Sequence, residues 1–351
     1  MSVPAVVVGA SGYVGGELLR LIAAHPTFRL HAAVSGSNAD KPIASVFRNL
    51  TTAYANQSFC EFERWADGLA SGQSVAVFSA APHGASAAVI RQILKDASRK
   101  NIMVRIVDAS ADFRYADAES FEAVYGGTHG APELLENFSC AVPEHANVVA
   151  SEHVGHPGCF ATAMLLGIVP MTALSLVQGP IYVSAITGST GSGQSPSVGT
   201  HHPERHSNLY AYKPLQHRHV PEVTGLTAAA TGQSPAVQFV PHSGPFARGI
   251  HATIQASLNG RRSLVDVLEL LGEFYAPHPF VEVRELTPRI KDVVGGNNAI
   301  ISAAVSEQSI AVFVAIDNLV KGAAGGCVQW MNRLFDLPQT EGLTAPSAAW
   351  S

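Results

Sequence analysis

The chain has 351 residues, 47% of them apolar and 14% charged, with a formal net charge of −5. That length accommodates two domains of ordinary size, and the apolar share excludes a disordered chain. The low, slightly acidic charge excludes a polyanion-binding stripe, and no apolar run reaches membrane-spanning length, so neither a nucleic acid nor a membrane is an expected partner.

Val3 to Val8 is a valine-rich apolar run, the pattern of a strand buried on both faces of a parallel sheet, with Pro4 tolerable at a strand start. Gly9-Ala10-Ser11-Gly12-Tyr13-Val14-Gly15 follows at once, and then a helical pattern from Glu17. This Gly-x-x-Gly-x-x-Gly is a spacing variant of the dinucleotide turn, in which glycines bring backbone N–H groups close to a pyrophosphate. A second strand, 29–34, ends in Ser35-Gly36-Ser37-Asn38. No acidic residue stands at that strand end to take a ribose 2′-hydroxyl, which leans towards NADP(H), with Lys41 the nearest cation. Strands over 75–80 and 104–107, separated by a helix after His83, complete the alternation of a doubly wound α/β domain. Asp108 to Arg114 then lies beyond a strand end, and its Asp112 and Arg114 read as a local ion pair or as ligand contacts.

From Tyr115 to Glu144 the pattern weakens, and a short strand is expected over 147–150. His156-Pro157-Gly158-Cys159 then precedes an apolar helix over 161–169. A thiol at a helix start is favoured as thiolate, the attacking form of cysteine; the alternative is a small buried core residue. The other cysteines, at 60, 140 and 327, show no Cys-x-x-Cys spacing, so neither zinc nor a disulfide framework is expected. A strand over 181–187 leads into the Gly/Ser loop 188–195, a candidate anion cradle that includes Ser189. His201-His202-Pro203-Glu204-Arg205-His206 invites a metal, but no ligand set at useful spacing accompanies it. His217-Arg218-His219-Val220-Pro221-Glu222 gathers two imidazoles, a guanidinium and a carboxylate, either as proton carriers and anion holders or as a polar turn capping the next element. Strands are expected over 236–241, 249–258, 280–283, 299–304 and 310–316. One helix interrupts them, opened by a Ser263/Asp266 capping box. Arg248 heads a strand, and a final helix runs from 317 to about 335 with Cys327 in the core. The tail from 339 reads as loosely ordered. The second domain is therefore α+β, with a large mixed and mainly antiparallel sheet. No secretory leader is legible, so a cytoplasmic setting is expected.

Taken together and in order, the motifs 9–15, 108–114, 156–159, 217–222 and 318–325 resemble the N-acetyl-gamma-glutamyl-phosphate reductase family, within the semialdehyde dehydrogenase superfamily. The resemblance implies an NADPH-dependent reduction of an acyl phosphate through a cysteine thioester, in arginine biosynthesis. It implies Cys159 as nucleophile and His217 or His219 as acid/base, with His217 preferred. It places the cofactor on Gly9, Ser11, Gly12, Tyr13, Val14, Gly15, Ser35, Ser37, Asn318 and Gly322. Arg114, Ser189, Arg218 and Arg248 are the implied substrate residues, and no metal is implied. The expected partition is an NADP-binding domain of 1–155 completed by 318–351, and a catalytic and oligomerisation domain of 156–317 that builds a homodimer or homotetramer. The same motifs serve an aminoadipyl phosphate or an N-succinyl substrate, and Phe160 stands where tyrosine is frequent. From another class, a non-catalytic NADP(H) sensor or a cofactor-independent thiol hydrolase would need only part of this set.

Overall fold

The computed structural model describes residues 2–146 and 150–349. They form two compact units, one from 2–141, 150–156 and 323–343, the other from 142–146, 157–322 and 344–349. In chain order the first unit opens with β1 (Val3–Val8), α1 (Tyr13–Ala24), β2 (Phe28–Val34), α2 (Ile43–Val46), β3 (Ser74–Ser79) and α3 (Ser86–Lys100). It continues with β4 (Met103–Asp108), α4 (Ala118–Tyr125), β5 (Phe138–Cys140) and β6 (His153–Gly155). The second unit holds α5 (Cys159–Ala173), β7 (Val177–Thr187), α6 (His202–Arg205), β8 (Tyr210–Ala211), α7 (His219–Thr231) and β9 (Val237–Ser243). After these come β10 (Ile250–Leu258), α8 (Leu264–Tyr275), β11 (Val281–Val283), β12 (Ala299–Val305) and β13 (Ser309–Ile316). Finally α9 (Gly325–Leu334) returns to the first unit and packs on β4 and α1.

The first unit is a doubly wound sheet. Among the described residues its strand order is β2-β1-β3-β4-β6-β5, and every pairing is parallel. Parallel strands covered on both faces must be apolar throughout, and Ala5, Val6 and Val7 of β1 are fully buried. The chain leaves β1 for β2 on one side and comes back to β3 on the other. The crevice beyond the C-terminal ends of β1 and β3 is thus the switch point where such sheets bind ligands.

The second unit is a mixed sheet of order β11-β12-β13-β10-β7-β9-β8, with β7–β9 and β11–β12 parallel and the other pairings antiparallel. β7, β9 and β10 alternate buried and open residues, the mark of a sheet with one covered face. That cover is α5, whose residues from Phe160 to Thr172 are all buried. Gly167 lets it lie close, since a Cβ there would stand 2.4 Å from Ile254 Cδ1.

Several expectations are corrected here. The partition at 317/318 falls instead at 322/323, because 317–321 is pinned inside the second unit by Arg248, Gly295 and Glu144. The last helix does not run unbroken from 317: a π-helical turn over Val320–Ala324 precedes α9. Residues 217–219 lead into α7, a helix the sequence reading left out. The tail is not loose, for Asn332 Nδ2 donates to the carbonyls of Gln339 (3.3 Å) and Glu341 (2.9 Å), and Leu343 is buried. Beyond it Ala348 N donates to Val294 O at 3.0 Å. Of the strand expected over 147–150, residues 147–149 lie outside the described residues. No helix among the described residues is long and apolar enough to cross a membrane.

Candidate active site

In the first unit, β1 delivers the chain into the glycine turn. Gly9 has φ +69°, and a Cβ on it would stand 2.4 Å from Ala80 O, at the end of β3. A Cβ on Gly15 would meet Gly9 O at 2.5 Å, so α1 leaves the turn at a distance only glycine permits. Gly12 is the N-cap of α1, and no side chain caps it. The N–H groups of the first turn therefore face outwards with the positive end of the helix dipole, as a pyrophosphate requires. Beside them Ser11 and Ser35 share a 2.7 Å hydroxyl bond, and Ser37 lies 3.5 Å from Ser35 Oγ. Lys41 Nζ donates to Asn38 Oδ1 at 3.2 Å on the same loop. Turn, helix start and serine loop fit a dinucleotide, and the segments expected to hold one are adjacent.

In the second unit, Cys159 is the first residue of α5 and is partly exposed. Glu222, one turn into α7, is buried and accepts the Gly158 N–H at 2.7 Å. A carboxylate thus fixes the peptide ahead of the thiol. Phe160 meets His217 and His219 edge-on, with centroids at 5.7 and 6.4 Å, and the two imidazole centroids are 4.7 Å apart. Tyr212 and Phe239 close the other sides of His217. The His219 N–H donates to His217 Nδ1 at 3.2 Å, so the neutral His217 ring carries its proton on Nε2. Burial, with Arg218 and Lys213 nearby, pushes His217 down to about 4. Burial raises the Tyr212 phenol well above its ordinary range, and the neighbouring Cys159 adds to the shift.

The semialdehyde dehydrogenase NAD-binding domain family matches residues 4–147, and the semialdehyde dehydrogenase dimerisation domain family matches 159–318. The N-acetyl-gamma-glutamyl-phosphate reductase of Methanosarcina acetivorans is 36% identical over 349 residues, covering 98% of each chain. That of Pseudomonas aeruginosa is 36% identical over 345 residues, covering 96% of this chain and 97% of its own. This chain belongs to the N-acetyl-gamma-glutamyl-phosphate reductase family. Solved structures agree on the fold. Aspartate semialdehyde dehydrogenase II of Vibrio cholerae aligns with TM-score 0.69 at 14% identity, over 96% of this chain and 99% of that one. The Candida albicans aspartate semialdehyde dehydrogenase, solved with NADP, aligns with TM-score 0.66 at 14% identity, over 95% and 98%. The chain is accordingly an NAD(P)-dependent oxidoreductase of the semialdehyde dehydrogenase type.

Within this reductase fold the remaining expected residues are placed as follows. Arg114 is buried and donates to the carbonyls of His156 and Ala109, both at 3.0 Å. Asp112 accepts the N–H groups of Gly84 (2.7 Å) and Ala87 (2.9 Å), which caps α3. Ser189 sits in a 3-10 turn tied to Phe246 O. Arg218 is exposed, next to the imidazole pair. Arg248 pairs with the buried Asp317 through Nε (3.0 Å) and Nη2 (3.1 Å). The Asn318 amide takes the Gly249 N–H at 2.7 Å and donates to Thr190 Oγ1 at 3.0 Å, so it holds the Gly/Ser loop in place. Gly322 lies against Cys159: a Cβ on it would stand 2.8 Å from Cys159 Cβ. Sequence reasoning placed Glu222 in the imidazole cluster without its Gly158 contact and gave Lys321 no part. Both stood inside quoted motifs, and a charged residue in an apolar or small-residue run was the available signal. Among the described residues no group of three or more His, Cys, Asp or Glu side chains is placed to hold a metal ion.

Proposed function

We propose that the chain reduces N-acetyl-glutamyl 5-phosphate to the 5-semialdehyde, releasing phosphate, with Cys159 as nucleophile, and that it does so in the cytoplasm as a step of arginine biosynthesis. The observation that carries this is Cys159 at the uncapped start of α5, its preceding peptide held by Glu222 and its following residue packed on two imidazoles. The helix N-terminus favours the thiolate. The thiolate attacks the acyl carbon; a C–S bond forms, the C–O bond to phosphate breaks, and a thioester remains on Cys159. A bound NADPH supplies the hydride that takes the thioester to the aldehyde level. His219 takes the thiol proton and returns it to the sulfur as the alkoxide left by hydride transfer collapses to the aldehyde and the thiolate departs. His217 is a poor base for this, since its charged form is disfavoured and its Nδ1 is occupied by the His219 N–H; it orients the start of α7. This reverses the preference for His217 drawn from the motif. Ser189 and Arg218, in the same unit as the thiol, are the side chains proposed for substrate anions.

Gly9, Ser11, Gly12, Tyr13, Val14, Gly15, Ser35 and Ser37 would hold the dinucleotide. Ser35, Ser37 and Lys41 on the loop after β2 support NADPH over NADH, against the Glu61 carboxylate, whose Oε2 would stand 3.8 Å from a Cβ on Gly36. The open face of the second unit's sheet, where Tyr182 is 56% and Leu215 62% exposed, supports a homodimer or homotetramer built through that face. In a phosphate-dependent NADP reduction assay with glutamyl and aminoadipyl semialdehydes, free, acetylated and succinylated, the acetylated glutamyl compound should give the highest kcat/KM. Cys159→Ser should abolish turnover, and turnover retained by that variant would sink the reading.

A further inference from the structure

Lys321 and Glu144 form an ion pair that the chemistry above does not use. The Nζ–Oε1 distance is 2.5 Å, and neither side chain is exposed to solvent. Both belong to the second unit. A fully buried lysine is rare without a partner, and taking both charges out of water carries a desolvation cost that their attraction recovers only in good geometry. Buried pairs of this kind are weak evidence for stability, and their best-attested use is to fix one register. The register here is unusual. Lys321 lies in the π-helical turn over Val320–Ala324, and the Gly322 N–H reaches back to Asp317 O at 3.0 Å. π-turns are rare and concentrate at functional sites. The next residue in that turn, Gly322, is the one that abuts Cys159.

Glu144 is itself anchored to the nucleophile's helix. It sits in a short 3-10 turn over Pro143–His145. His145 Nε2 meets Tyr275 Oη at 3.0 Å, and Tyr275 donates to Leu166 O of α5 at 2.7 Å. The His145 ring is neutral, held near 4 by burial, so it carries its proton on Nε2 and donates to the phenol. The chain of contacts closes on itself: α5 to Tyr275, His145, Glu144, Lys321, Gly322 and back to Cys159 on α5.

We propose that the Glu144–Lys321 pair is a positioning device for the nucleophile: it locks the π-helical turn so that the Gly322 backbone lies against Cys159 and sets the direction of the thiol. Without the pair the turn can relax to ordinary i→i+4 bonding, which carries Gly322 off the cysteine. Displacements of about 1 Å around reacting atoms cost on the order of a hundredfold in rate. The proposal rests on Cys159 being the nucleophile.

The test uses the full chain with E144Q, K321M, the double variant E144M/K321M and E144D. The singles should melt lower, because each leaves one buried charge alone. The double variant removes both charges and should regain the wild-type melting temperature. It should keep a kcat at least about tenfold low with KM changed by less than about threefold. The pH profile of Cys159 alkylation by iodoacetamide, read on the cysteine peptide without turnover, should be displaced in the same variant. E144D keeps the charge and shortens the reach; it should stay folded and show the same kcat loss and alkylation shift. A folded double variant or E144D with wild-type kcat and alkylation profile would overturn the proposal. Cys159→Ser separates the two readings. If that variant turns over, the nucleophile reading fails; if it is dead while the double variant is fully active, only the positioning role fails.

Discussion

At the scale of single residues, the two imidazoles beside Phe160 are distinguishable by their surroundings. His217 titrates near 4, so it is neutral across the working range, and its Nε2 keeps the proton. His219→Asn should therefore lower kcat by on the order of a hundredfold, as loss of a positioned proton carrier does. His217→Gln retains an acceptor for the His219 N–H and should cost about tenfold or less. Its replacement should also leave the acid limb of kcat/KM unmoved above about pH 5, because His217 has no titration there. Rate profiles of the two variants between about pH 5 and 9 decide this. A His217 variant as damaged as the His219 variant, with a shifted acid limb, would return the proton transfer to His217. The motif could not separate the two because it shows neither which ring is hydrogen-bonded nor which is hemmed in by Arg218 and Lys213. The ion pair of Arg248 was out of reach for a related reason: its partner Asp317 is 69 residues away in sequence.

At the scale of elements, the glycines of the nucleotide turn divide into two kinds. A Cβ on Gly12 would meet only Gly9 O, at 3.6 Å, an ordinary contact, and its φ of −78° suits alanine. Gly12→Ala should leave the melting temperature unchanged and weaken NADPH binding about tenfold, since the added methyl stands at the uncapped helix start where phosphates approach. Gly15→Ala drives a methyl into the Gly9 and Ala10 backbone and should lower both stability and cofactor affinity. Titration of cofactor fluorescence beside a thermal melt separates them, and equal effects in the two variants would contradict this division. The turn was legible because its geometry demands a particular residue at fixed spacing. α5 was legible by its unbroken apolar run, and the α8 cap by Ser263 and Asp266, whose reciprocal bonds the structure contains. α7 was not, because Pro221, Gly225 and three threonines give it weak propensity and no clear apolar stripe. It is a helix by tertiary packing on α5. The π-turn was invisible for a similar reason: its register depends on Glu144, far away in sequence.

At the scale of the whole molecule, burial makes stability depend on pH. His145, His153 and His217 each titrate near 4 when folded, against 6.5 for a free imidazole. Each contributes stability that is complete above about pH 6.5 and is lost as pH falls towards 4, where the unfolded chain binds the extra proton. Asp108 works the other way: buried with its pKa raised to about 6, it destabilises the fold at higher pH and is relieved on acidification. Three protons taken up on unfolding against one released leave a net of about two, so the melting temperature should fall steadily between about pH 6.5 and 4. Scanning calorimetry across that window measures it, and a flat profile would mean these imidazoles stay solvated. The doubly wound plan of the first unit was legible from strand and helix alternation, and the mixed sheet of the second from its run of strands. Their interleaving along the chain was not, since no local pattern announces that 323–343 belongs with the first unit.

That interleaving has a consequence for synthesis. β4 is complete at Asp108, but α9, which packs on it with Cys327, Val328, Trp330 and Met331 buried, begins only at Gly325. The whole of 157–322 must be translated in between. At about 5–20 residues per second the ribosome needs on the order of ten seconds or more for that stretch. Throughout that interval the nascent nucleotide sheet carries an uncovered apolar surface, and its last layer arrives only after the second unit has been made.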